Sequence, residues 1–120
     1  MQTTQVNSEL LNDILVIHVT DKLIPFRGLM DLLKNKKSLS GVVIDNKVPD
    51  YIPDQYSIGY LLDLVSGPLM ERTKLAIIPF TNLQQAMFEL VFDEFYHSNL
   101  EINYFQDMNP ALSWLSSPMQ

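Results

Sequence analysis

The sequence predicts an α/β fold: a mixed, mostly parallel sheet with an N-terminal β-hairpin and flanking helices. Three observations predict it. Two apolar runs, Val42-Val43-Ile44 and Lys74-Leu75-Ala76-Ile77-Ile78, have strand length and no alternation, as suits strands buried on both faces of a parallel sheet. Segments with helical apolar spacing separate and follow them. Two short strand-like runs flank the turn dipeptide Asn12-Asp13 at the start of the chain. Helices alternating with strands after a hairpin give about five strands and about four helices, with one antiparallel strand at the edge.

In order, the hairpin pairs Thr3 to Leu10 with the β-branched run Ile14 to Val19, joined by a turn that Asn and Asp accommodate. Asp21 to Ile24 is a loop. Pro25 suits the first position of a helix, where its missing N–H costs nothing, and Phe26, Leu29, Met30 and Leu33 form its apolar face. Lys34, Lys36 and Lys37 end it as a solvated cluster near the negative dipole pole. Gly41 breaks the chain before the Val42 strand. A helix opens near Asp54; Ser57 to Met70 has helical spacing at Ile58, Leu61, Leu62 and Val65, and Gly67-Pro68 stops or kinks it near Ser66. After the second apolar strand, Thr81 or Asn82 caps the clearest helix of the chain. Its main apolar stripe is Leu83, Ala86, Met87, Leu90, Val91 and Phe95, with Phe88, Phe92 and Tyr96 as a second stripe. Leu100 to Phe105 is the last strand, with Ile102 and Tyr104 on one face. Asn109-Pro110 reads as a cap followed by the first residue of the short helix Ala111 to Ser116. There is no repeat or linker, so residues 1–120 form one domain.

The chain is organised around Gly41 to Leu64, where a buried strand ends in Asp45 and crosses a polar loop to a helix start. In open α/β sheets that is a common place for function. Val42-Val43-Ile44-Asp45, Asp50-Tyr51-Ile52, and Asp54-Gln55-Tyr56-Ser57-Ile58-Gly59 resemble the strand, turn and helix-opening motifs of the STAS family, the sulfate transporter and anti-sigma-factor antagonist domains. Tyr104-Phe105 followed by Ala111-Leu112-Ser113-Trp114-Leu115 resembles the ending of its SpoIIAA-like branch. The resemblance implies a regulatory domain that docks a protein partner at this loop. The family's regulatory members carry a phosphorylated serine after the motif's Asp. Here Gln55 and Tyr56 follow Asp54, and Ser57 stands where the family has glycine, so the phospho-switch has no matching residue. Ser57 also reads as an ordinary helix-start residue, and Asp50, Asp54 and Asp63 would oppose a phosphate beside it.

Other constellations have structural readings beside functional ones. Asp45, Asp50 and Asp54 could gather at the end of the sheet as oxygen ligands for a divalent cation, or act simply as turn-formers. Asp93 and His97, one helical turn apart, could chelate a metal or form a solvated pair. His18, inside an apolar strand, fills a core or edge position. The surplus aromatic arc of Phe88, Phe92 and Tyr96 is either covered by neighbouring helices or, with Trp114, walls an apolar pocket or interface. Absence of any Gly-Xaa-Gly disfavours a dinucleotide fold, and no Ser-His-Asp pattern supports a triad.

Composition narrows the function further. A net charge of −6 argues against nucleic-acid binding, which needs a basic stripe, and against an anionic membrane surface. With no cysteine, thiolate chemistry and disulfides are excluded. The N-terminus has neither a basic n-region nor an apolar h-region, and no run approaches the ~20 apolar residues of a membrane span. The resulting expectation is a cytoplasmic, non-enzymatic regulatory or interaction module without cofactor. Its protein partner would meet Asp54, Gln55, Tyr56 and Ser57, and a homodimer through the aromatic helix is compatible. The alternatives are a carrier of a small apolar ligand held against Phe88, Phe92, Tyr96 and Trp114, and a divalent-metal-dependent activity at the aspartate cluster.

Overall fold

The computed structural model describes residues 6–19, 27–67, 69–95 and 99–116. Along them run β1 (Val6–Leu11), β2 (Ile14–Val19), α1 (Arg27–Leu33), β3 (Gly41–Asn46), α2 (Gln55–Val65), β4 (Thr73–Ile78), α3 (Asn82–Asp93), β5 (Leu100–Tyr104) and α4 (Met108–Ser116). The five strands form one sheet in the order β1-β2-β3-β4-β5. β1 is antiparallel to β2, and every later pairing is parallel. The expected mixed sheet with an antiparallel edge hairpin is therefore the observed one. Asn12 takes the turn's left-handed conformation, at φ 58, a region that Asn tolerates better than most side chains.

The strand order dictates where the helices lie. Each crossover steps the same way across the sheet, and right-handed crossovers that step one way deliver their helices to one face. Leu29 and Leu33 of α1, Ile58, Leu61, Leu62 and Val65 of α2, and Phe88 and Phe92 of α3 accordingly share one core with Leu15, Ile17, Val42, Ile44, Leu75 and Ile77. Among the described residues the far face has only α4, whose Ala111 and Leu115 cover Ile14, Val16, Val43, Ala76 and Ile78. Glycine at 41 permits this approach, because a Cβ there would collide with Leu115 Cδ2. Lys74 is buried on the same side, with Nζ 4.9 Å from the centre of the Trp114 ring and 3.4 Å from the Trp114 carbonyl. A cation over an indole face beside a helix-end carbonyl offsets part of the desolvation.

Two helices differ from expectation. In α3 the buried face is Gln84, Phe88 and Phe92, at i, i+4 and i+8, while Leu83 and Leu90 of the expected main stripe are exposed. A count of apolar residues passes over Gln84, the residue that sets the helix's rotation. α4 begins at Met108, before the expected cap Asn109. Pro110 then falls within the first turn, where its missing N–H leaves no intrahelical bond unmade. Pro25 and Phe26 lie outside the described residues, as do Tyr96, His97 and Pro68.

Tyr51, from the loop between β3 and α2, is buried against Phe88 with ring centroids 6.2 Å apart. Its hydroxyl has no hydrogen-bond partner among the described residues. Burial, and then the Asp54 charge, raises this phenol far above the usual tyrosine range. A buried hydroxyl without a partner costs about 1 kcal/mol or more, so Tyr51→Phe is expected to stabilise the protein by about that amount in chemical denaturation. The folded state resists ionising Tyr51, whereas an unfolded chain ionises it near pH ~10. Stability therefore falls as pH rises beyond that point, and Tyr51→Phe makes the alkaline decline shallower.

Candidate functional site

The turn following Asn46 is held from beneath by one side chain. Gln84 projects from the first turn of α3 and is almost fully buried. Its Nε2 lies 2.7 Å from the Val48 carbonyl, 2.9 Å from that of Pro49 and 3.1 Å from that of Tyr51. Its Oε1 accepts from Asn46 Nδ2 at 2.8 Å and from the Phe80 backbone N–H at 2.9 Å. The orientation of the carboxamide follows from its partners, because three carbonyls can only accept and a backbone N–H can only donate. Asn46 is fixed by the same logic, since its Oδ1 accepts from the Val48 N–H at 3.0 Å. The β3–α2 loop and the β4–α3 loop are thus tied to one amide.

The helix start downstream is capped within the chain. Asp54 Oδ1 accepts from the Ser57 N–H at 2.8 Å, and its Oδ2 accepts from the Ser57 hydroxyl at 3.0 Å. This is an N-cap bond to the third helical residue. A phosphoryl group on Ser57 would face the Asp54 carboxylate and disrupt the cap, so the position of the hydroxyl suits capping. Of the four expected contact residues, Asp54, Gln55 and Tyr56 are exposed and Ser57 is half-buried. Tyr56 is 82% exposed and Ile52, just upstream, 61%. Ile52 escapes a sequence reading because an apolar residue between Tyr51 and Pro53 looks like core. In fact both of those neighbours are buried and Ile52 is turned outward.

The remaining candidate residues are dispersed. Phe88 and Phe92 stack in the helix-side core, with centroids 6.1 Å apart and planes 17° apart. Trp114 lies across the sheet against Phe105, at 5.7 Å. The sheet stands between them, so Phe88, Phe92 and Trp114 do not wall one pocket, and the two buried phenylalanines offer no surface to a second copy. The three aspartates do not gather either. Asp45 faces the opposite side of the sheet from the helix-side core, where its Oδ2 is 2.9 Å from His18 Nδ1 and 3.0 Å from Lys47 Nζ. His18 Nε2 is in turn 3.0 Å from Glu9 Oε2, so the histidine links two carboxylates across β1, β2 and β3. This network solvates the part of the far face that α4 leaves open. Among the described residues no group of three His, Cys, Asp or Glu side chains is placed to hold a metal ion, and no helix is long and apolar enough to cross a membrane.

Comparison with known proteins finds no matching family model, no matching curated protein and no matching solved structure.

Substitutions at Gln84 test the loop anchorage. Gln84→Met keeps the bulk and removes both polar ends, and is expected to cost about 3 kcal/mol in chemical denaturation, since buried backbone groups lose their partners. Gln84→Glu is expected to cost more at neutral pH, because a carboxylate would face three carbonyl oxygens. An unfolded Glu ionises near pH ~4.3, and the folded site resists that ionisation. The deficit of Gln84→Glu therefore grows as pH rises above this value.

Proposed function

We propose that the protein is a cytoplasmic, non-enzymatic interaction module that binds a protein partner through the β3–α2 loop and the start of α2. The observation that carries this reading is a loop held rigidly from below that displays Ile52 and Tyr56 to solvent. Apolar and aromatic anchors on a pre-ordered loop lose little conformational freedom on binding, and tyrosine is enriched among the residues that dominate interface energy. Asp54 and Gln55 beside them supply a polar rim. The STAS resemblance supports a regulatory role and a partner at this same loop. The Asp54–Ser57 cap argues that recognition proceeds without a phosphoserine at position 57.

Proximity labelling in the native cell, comparing the parent with Tyr56→Asp and with Glu101→Gln on β5, tests the proposal. Tyr56 is solvent-exposed, so the thermal midpoint should stay at the parent value. A discrete set of proteins labelled by the parent and by Glu101→Gln should fall about tenfold or more with Tyr56→Asp. The same labelled set in all three proteins would contradict the assignment.

A further inference from the structure

The directions in which the last two helices leave the sheet create a second, independent feature. The chain leaves β4 toward the helix-rich face, where α3 packs. It leaves the adjacent parallel strand β5 toward the far face, where α4 packs. Where neighbouring parallel strands send their connections to opposite faces, a crevice opens at their carboxyl ends, and ligands of open α/β sheets bind there. No such divergence occurs between β2 and β3 or between β3 and β4, whose following helices share one face. At the diverging pair the structure has a cavity of 580 Å³ bounded by the segments after β4 and β5, within the range of about 300–1,000 Å³ typical of small-molecule sites.

We propose that this crevice binds an uncharged, planar heteroaromatic compound of nucleobase type. Among the described residues the lining contains no charged side chain, so none of them compensates the desolvation of an ion. The Tyr104 phenol, pushed up to about 12 by burial and then by Glu89 and Asp93, is neutral at physiological pH as an ordinary tyrosine is; the same carboxylates disfavour an anion. Phe80, 56% exposed at the rim, offers an aromatic face, while the Phe105 ring rests against Trp114. The Asn82 and Gln106 amides, with no side-chain partner among the described residues, and the Gln85 carbonyl oxygen, free while its Nε2 donates to Glu89, complete the polar edge. Amides with a donor and an acceptor side by side match the paired acceptor and donor on the edge of a heterocycle, and rings stack on its face. Backbone position at the rim is fixed, because the Phe80 N–H is bonded to Gln84.

Amide-resolved NMR titration of the full chain with adenosine, guanosine, cytidine, uridine and nicotinamide, and separately with inorganic phosphate, tests this. At least one uncharged heterocycle should shift the backbone signals of residues 80–82 and 104–106 saturably, with a Kd of about 1 mM or tighter, while phosphate leaves them in place. Asn82→Ala and Gln106→Ala should each weaken that binding about tenfold, with the parent's amide spectrum preserved elsewhere. Silence of these signals with every heterocycle, a response to phosphate alone, or unchanged affinity in both variants would each overturn the proposal. The β3–α2 loop surface is untouched by these variants, so either assignment can fail without the other.

Discussion

A single buried carboxamide determines how this protein presents its upper edge. Gln84 is the only residue of α3's buried face that is not aromatic, and it lies where a helix would ordinarily bury leucine. Its cost is offset because both ends of the amide are satisfied by groups that would otherwise be stranded: carbonyls of the β3–α2 loop on one side, Asn46 and the Phe80 N–H on the other. Irregular backbone cannot satisfy itself as strands and helices do. One side chain with two donors and an acceptor performs that role for two loops at once, and so couples the position of the exposed loop residues to the rotation of α3.

The second constraint is the monotonic strand order. Three crossovers stepping in one direction concentrate three helices on one face and, among the described residues, leave α4 alone to protect the other. The far face resolves this shortage in two ways. Near α4 it uses close packing at Gly41 and a lysine laid over Trp114. Beyond α4 it becomes polar, with the Glu9–His18–Asp45–Lys47 network spread over the β1, β2 and β3 side. The divergence of α3 and α4 also opens the crevice between the ends of β4 and β5. Fold order, charge placement and cavity follow from the same arrangement.

Much of the architecture was legible in the sequence because it is written in period and punctuation. The apolar runs at Val42 and Lys74 declare doubly buried strands, Asn12-Asp13 declares the hairpin, and Asp54 announces the start of α2. The rotation of α3 was not legible, because hydrophobic counting favours Leu83 and Leu90, whereas the helix turns to bring Gln84 under the loop. The side of the sheet occupied by Trp114 was not legible either, since it depends on which way the chain leaves β5. Asp45 illustrates the limit for sites: its position after a central strand suggested a shared acidic cluster, but a register in which His18 stands beside it commits its carboxylate to the imidazole and to Lys47. Of the loop residues, the exposure of Asp54, Gln55 and Tyr56 followed from their polar, helix-opening context, and Ile52 did not. The crevice was invisible because no motif marks it.

The role of Gln84 is tested most directly by amide hydrogen exchange of the unaltered protein. The Phe80 and Val48 N–H groups lie in loops, yet each is bonded to the Gln84–Asn46 pair. They should exchange as slowly as the amides of Ile44 and Ile77 at the centre of the sheet, opening only when the whole domain does. Exchange of Phe80 and Val48 at the rate of exposed loop amides, while the strand amides remain protected, would contradict the account.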